Sequence, residues 1–345
     1  MAVIDLRSDT VTLPTAAMRE AIFRAELGDD VFSEDPTINR VEVMMAERMG
    51  MEGGLLVVSG TMGNVTSVLT HCARGEEAIL GDCSHIFINE AGGMSALGGV
   101  FPHTIPNQPD GTLRLEDIEG AIRADNIHFP RTRLICLENT HNRCYGAALT
   151  PEDTAAVVAL AKRRGLLVHL DGARIFNAAV ALGVDCRELT RGVDSVNVCL
   201  SKGLAAPVGS VICGSRAFIA RARRTRKMLG GGMRQAGIIA AAGIVALETM
   251  IDRLAEDHAN AHRLAEGIAT IGGLATDPAR VQTNILYCDL AGGRFSDTEF
   301  IERLAQKGLR LSHTGPARFR MLTHYGIGAA DIDAALAILR GVMRE

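Results

Sequence analysis

The sequence predicts an α/β protein in which a mainly parallel, doubly wound sheet is followed by a smaller α+β domain. Short apolar runs alternate with helix-patterned segments from about residue 55 to 215. That order produces parallel strands covered by helices. Two of the runs end abruptly in charged groups: 166–170 in Asp171-Gly172-Ala173-Arg174, and 196–200 in Ser201-Lys202. Past residue 250 the composition changes to a charged connecting helix, so the expected division is 1–250 for an arm and large domain and 251–345 for a small C-terminal domain. At 345 residues and 47% hydrophobic, the chain is long enough to bury cores of that size.

The elements follow in order. Residues 1–14 read as a polar arm ending at Pro14, and 15–27 have helical periodicity. The acidic stretch from Gly28 through Asp29, Asp30, Glu34 and Asp35 to Pro36 reads as a solvated loop. A strand at 55–58 leads into Ser59-Gly60-Thr61-Met62-Gly63-Asn64 and an apolar helix. A small-residue turn opening a helix presents main-chain N–H groups and the positive dipole end, which suits a phosphate. It matches neither Walker A nor G-x-G-x-x-G, so a nucleotide has no support. Strands are expected at 78–80, with His85 just beyond, and at 134–137, leading to Glu138. His85 suits either a ring stacked on a cofactor or a hydrogen-bonded core histidine.

Thr150-Pro151-Glu152-Asp153 starts a well-marked helix, with Lys162, Arg163 and Arg164 in its last turn and Gly165 at its stop. A strand at 211–213 precedes a basic run, Arg221, Arg223, Arg224, Arg226 and Lys227, expected to lie mostly on a solvated helix face with one or two cations reaching an anion. Gly230-Gly231-Gly232-Met233-Arg234 is a flexible turn holding an arginine. His258 and His262 lack the H-E-x-x-H pattern and read as surface residues. The small domain should hold strands at 284–290 and 319–323, the second carrying Arg320. Its helices should start at a Ser296/Glu299 capping box and span 330–343.

Composition excludes several classes. A net charge of −4 gives no electrostatic reason to expect nucleic acid or an anionic membrane. The eight cysteines contain no C-x-x-C and read as reduced, buried small hydrophobes. Residues 1–10 lack an apolar leader core, and the longest apolar stretch, 236–247, is too short to span a bilayer. A soluble, cytoplasmic protein is expected.

The strand ends point to the chemistry. Ligands of α/β sheets bind outside the carboxyl ends of strands. A lysine there forms a Schiff base with an aldehyde, and a carboxylate facing a pyridine nitrogen keeps that ring protonated. Lys202 with Asp171 is the pair that pyridoxal 5'-phosphate (PLP) requires. An ordinary Asp171–Arg174 ion pair beside a solvated Lys202 is the alternative from spacing alone.

Assembled, the motifs resemble the low-specificity L-threonine aldolases, a family of fold-type I PLP-dependent enzymes. The matching blocks are Asp5-Leu6-Arg7-Ser8-Asp9-Thr10-Val11-Thr12, Gly28-Asp29-Asp30-Val31, Ser59-Gly60-Thr61, His85, Glu138-Asn139-Thr140-His141-Asn142, Asp171-Gly172-Ala173-Arg174-Ile175-Phe176-Asn177, Leu200-Ser201-Lys202-Gly203-Leu204, Gly230-Gly231-Gly232-Met233-Arg234-Gln235 and Arg320-Met321-Leu322-Thr323-His324. The resemblance implies a transferase-like large domain with a seven-stranded sheet, and reversible cleavage of L-threonine or L-allo-threonine to glycine and acetaldehyde. It implies PLP on Lys202, Asp171 at the ring nitrogen, Gly60 and Thr61 at the phosphate and His85 on the ring. It implies a carboxylate clamp of Ser8, Arg174 and Arg320, with Arg234 and Lys227 reaching a neighbouring subunit's phosphate in a dimer of dimers with shared sites. His85 and His128 are the candidate bases. Phe32 and Phe87 stand where relatives have tyrosines. A β-eliminating lyase or an aminotransferase on the same fold is the rival enzyme, and a non-catalytic scaffold the rival of another class.

Overall fold

Aliphatic runs with no polar alternation must be covered on both faces, and here they build one seven-stranded sheet. In the computed structural model, which describes residues 3–345, its order is Gly53–Val57, Ser210–Gly214, Ser195–Cys199, Leu167–Asp171, Thr132–Glu138, Glu77–Gly81, Phe101–Ile105. Ser210–Gly214 runs antiparallel to both neighbours, and the remaining pairs are parallel. Residues 1 and 2 of the expected arm lie outside the described residues. The expected helix after residue 150 forms as Pro151–Arg164, with Thr150 and Asp153 closing a capping box and Gly165 at φ 68° ending it.

One strand of this sheet is not expected from the sequence, nor are the short strands Ile4–Asp5, Leu274–Ala275, Leu309–Arg310 and Ser312–Gly315 outside it. Phe101–Ile105 is half-exposed and contains Pro102, which removes a ladder donor and is tolerated because the strand is an edge.

The small domain stacks helices Leu254–Ala269, Asp297–Gln306 and Ala329–Arg344 on an antiparallel sheet. That sheet has the order Ser312–Gly315, Arg318–Leu322, Ile285–Leu290, Leu274–Ala275. Its core includes Leu286, Phe300, Phe319 and Leu336, joined by Ile4 and Leu6 from the arm. Ile4–Asp5 pairs in parallel with Leu309–Arg310. The arm is thereby stitched to the small domain before it enters the large one. We propose that the division falls at about residue 250, with the arm crossing it. Ser296 caps its helix through the Glu299 N–H, but the expected reciprocal half of the box is missing, because the Glu299 carboxylate turns to Arg303 at i+4.

One expectation about charge is corrected in part. The acidic loop is solvated at Glu34 but not at all of its acids: Asp30 and Asp35 are 2% and 0% exposed. Asp35 takes the N–H groups of Thr37 and Ile38 at a helix start and that of Gly237 across the fold. Asp30 pairs with Arg226 and Arg223, the two members of the basic run that reach an anion, and Arg223 also reaches Glu42, while Arg221, Arg224 and Lys227 are exposed as expected. Segments about 190 residues apart in sequence neutralise each other, a match that local composition cannot reveal. His258 is likewise half-buried against Asn177, not a surface group.

Removing one partner of a buried pair strands the other charge, at a cost of about 3–5 kcal/mol. Asp30→Ala should therefore lower the stability of the protein by about that amount in urea unfolding followed by circular dichroism.

Candidate active site

Sheet register builds the site. Glu138, Asp171 and Asn197 are consecutive partners across three parallel strands, so three polar side chains stand in a row at the carboxyl edge. The last of these strands continues through Leu200 and Ser201 to Lys202. The chain has four lysines. Lys162, Lys227 and Lys307 are exposed, whereas Lys202 is half-buried with no ion pair or side-chain hydrogen bond among the described residues.

Asp171 is 2% exposed and has no cationic partner among the described residues. Its Oδ1 accepts the Ala173 N–H at 3.1 Å and its Oδ2 accepts the Asn64 amide at 2.8 Å. The layer beneath is also neutral. His169 Nε2 lies 3.2 Å from Asn64 Oδ1, His169 Nδ1 lies 2.8 Å from Ser195 Oγ, and Ser195 Oγ lies 2.7 Å from His71 Nε2. Burial holds His169 down at about 4 and His71 down at about 3, so neither is charged at neutral pH. The spacing-based alternative, an Asp171–Arg174 ion pair, is overturned, because Arg174 is committed elsewhere.

Arg174 gives Nε and Nη2 to Asp9, each at 2.7 Å, in a fully buried fork. Burial pushes the Asp9 carboxyl up, but the Arg174 charge and hydrogen bonds outweigh it and hold Asp9 down at about 2. Arg174 Nη1 is left without a partner among the described residues. Arg320 donates to Asn142 Oδ1 at 2.8 Å and to the Arg7 carbonyl at 3.3 Å, and its buried Nε is unpaired. Burial and then the Arg174 charge lower the Arg320 pKa, and each guanidinium keeps a donor without a partner among the described residues. An anion relieves the repulsion between the two charges. Ser8 caps the turn Asp9–Val11 through the Thr10 N–H, at the same place.

His85 opens a short helical turn. Its N–H donates to Glu138 Oε2 at 2.7 Å, and its Nδ1 lies 2.8 Å from Glu90 Oε1. One ligand atom from each of His85, Glu90 and Asp171 falls within 4.8 Å of the others. At the start of helix Gly60–His71, Ser59 Oγ takes the Met62 N–H, leaving the Gly60 and Thr61 N–H groups among the open donors of the first turn. A Cβ on Gly60 would stand 2.8 Å from Cys199 Sγ, and one on Gly63 2.1 Å from Asn197 Oδ1. Only glycine lets this helix start seat against the strand leading to Lys202.

Three expected site residues are not gathered here within one chain. His128 is exposed on the bend preceding strand Thr132–Glu138, at its amino end, whereas the site lies at the carboxyl end. Seven strand residues span about 20 Å. Lys227 is exposed, and Arg234 is in an exposed pair with Asp29 at 3.0 Å.

The donor set fits PLP: an unpaired lysine, a buried carboxylate bonded only to neutral donors, a helix start with free N–H groups, and two arginines with open donors. Comparisons with known proteins agree. The model of the beta-eliminating lyase family matches residues 5–291. Low-specificity L-threonine aldolase 1 of Arabidopsis thaliana is 48% identical over 347 residues, covering 99% of this chain and 97% of that one. The low specificity L-threonine aldolase of Escherichia coli is 48% identical over 284 residues, covering 82% and 84%. The chain belongs to the threonine aldolase family. It shares that family's fold with the Leishmania major threonine aldolase, at a TM-score of 0.84 and 20% identity over 98% of each chain. Threonine aldolases are PLP-dependent lyases, so the cofactor class expected from Lys202 and Asp171 stands.

Several supporting residues had no signal of their own in the sequence. Asp9, Asn142 and Asn64 lie within recognisable blocks, but nothing local couples Asp9 to Arg174, 165 residues on. Glu90, His169 and Ser195 are not singled out by any motif.

The Asp9 carboxylate is depressed from near 4 to about 2, so its contribution is present above pH 4 and lost as pH falls towards 2. The stability advantage of wild type over Asp9→Asn should be about 2–3 kcal/mol at neutral pH and shrink through that window. Urea midpoints from pH 6 to 2.5 measure it.

Proposed function

We propose that this protein cleaves L-threonine and L-allo-threonine to glycine and acetaldehyde, reversibly, with PLP joined to Lys202 as a Schiff base. The observation that carries the reading is the uncompensated Asp171 carboxylate and the chain's one half-buried lysine, Lys202, at the carboxyl ends of neighbouring strands. The aldolase names of the 48%-identical relatives support carbon–carbon cleavage over β-elimination or transamination.

When bound, the cofactor supplies an electron sink for the bond being broken. The chain's own groups do the rest. Asp171 holds a proton on the ring nitrogen, and the Gly60 and Thr61 N–H groups hold the phosphate at the helix start. Arg174 Nη1 and Arg320 Nε, with Ser8, take the substrate carboxylate. A planar fork fixes such a group in two directions where a lysine fixes one. The bond from Cα to Cβ is thereby oriented for cleavage. His85 takes the β-hydroxyl proton at Nε2, which has no partner among the described residues; His128, at the far end of its strand, does not share this role within one chain. Asn64 and the neutral histidine layer keep the Asp171 charge directed at the ring.

A dimer of dimers in the cytoplasm, with Arg234 and Lys227 completing a neighbour's phosphate site, fits the remaining features. Both cations are exposed and so available to a second copy. Phe23, Phe32 and Met228 are apolar and more than two-thirds exposed at 86%, 68% and 71%. All eight cysteines are free, and no helix among the described residues is long and apolar enough to cross a membrane.

Incubation with L-threonine should yield glycine and acetaldehyde in equal amounts, and Lys202→Ala should lose at least about 10³-fold in kcat. Chromatography of both products measures this. Pyruvate from L-serine without acetaldehyde from either L-threonine isomer overturns the reading.

A further inference from the structure

The proposed reaction leaves one buried acid without a task. Glu90 is 3% exposed, lies five residues past His85, and is brought back to it by the bend after the turn His85–Ile88. Its Oε1 accepts the Asn64 amide at 2.7 Å and meets His85 Nδ1 at 2.8 Å, while its Oε2 is buried without a partner. The same Asn64 nitrogen donates to Asp171 Oδ2 at 2.8 Å. One amide thus spans two carboxylates.

Its orientation is fixed from behind. Asn197 Nδ2 donates to Asn64 Oδ1 at 3.0 Å and to the Gly60 carbonyl at 2.9 Å. Asn64 Oδ1 is therefore the acceptor end, and its NH2 faces the acids. With that end fixed, Glu90 Oε1 is an acceptor towards Asn64 and stands ready to accept a second proton from His85 Nδ1.

We propose that Glu90 is the positioning residue of a Glu90–His85 dyad: it accepts the His85 Nδ1 proton, which turns the unpaired Nε2 into the base for the substrate's β-hydroxyl. The inference rests on the function proposed above and adds a group to the reaction. When Nε2 takes the hydroxyl proton, the new imidazolium charge is met by the Glu90 carboxylate at 2.8 Å. The proton goes from substrate oxygen to Nε2 and returns to product from there, so nothing is consumed.

The groups facing this imidazole are Glu90 and Asp171, which favour its charge, and Lys202, which opposes it; Glu138 holds its main-chain N–H. Burial alone lowers the His85 pKa, but the Glu90 hydrogen bond and the Asp171 charge outweigh it and raise the value. The Glu90 carboxyl is itself raised, by burial first and by Asp171 next, against the pull of His85 and Asn64. Removing the Glu90 charge should therefore move the acid limb of the rate profile to lower pH.

The test pairs kinetics with a tautomer measurement on the PLP-loaded protein. Glu90→Gln preserves size and the Asn64 contact, and should lower kcat for L-threonine about 10²-fold while KM stays within about twofold. The acid limb of kcat/KM should move down in pH, with the visible band of the bound cofactor unchanged. Nitrogen-15 spectra of histidine-labelled wild type, with His85 assigned by its loss in His85→Asn, should show neutral His85 protonated at Nδ1. A neutral His85 protonated at Nε2, or an unchanged kcat and acid limb in Glu90→Gln, overturns the dyad. If wild type shows the Nδ1 tautomer but cleaves neither threonine isomer, the aldolase reading falls while the Glu90–His85 hydrogen bond stands. Cleavage with the Nε2 tautomer overturns the dyad alone.

Discussion

A buried carboxylate with no counter-ion is the constraint on which this structure depends. Asp171 sits at the end of a central strand, where water cannot screen it, and every donor it meets within the sheet is neutral. An uncompensated interior charge is costly. The fold tolerates it by spending two hydrogen bonds on its oxygens and by keeping the two imidazoles below uncharged. A cation among those donors would have quenched the charge in advance. In the proposed function that charge meets the protonated ring nitrogen of the cofactor.

The anion side of the site is arranged by the opposite means. Arg174 and Arg320 come together with like charge, and the first is fixed by Asp9 in a fork that leaves one nitrogen open. Asp9 and Ser8 come from the arm, Arg320 from the small domain, and Arg174 from the large one. The parallel pairing of Ile4–Asp5 with Leu309–Arg310 ties the first two together. The carboxylate clamp proposed for Ser8, Arg174 and Arg320 therefore lies at a seam, and movement of the small domain would carry Arg320 and Ser8 together relative to Lys202.

Much of this was legible in the sequence, for reasons that differ by element. The central strands were readable because parallel strands covered on both faces are uninterrupted aliphatic runs. The helix Pro151–Arg164 was readable from its caps. Lys202, Asp171 and Gly60 were readable because each follows directly on such a run, and the resemblance to the threonine aldolases gave the cofactor and reaction. What stayed hidden was pairing across the fold. Asp30 with Arg226, Asp9 with Arg174, and Asn64 between Glu90 and Asp171 join residues that share no local pattern. The edge strand Phe101–Ile105 was hidden because its half-exposed side chains and Pro102 resemble a loop.

The most direct measurement is borohydride reduction of the purified, PLP-loaded protein followed by peptide mass mapping. The account predicts a single pyridoxyl label on Lys202. A label on Lys162, Lys227 or Lys307, or none at all, would contradict it.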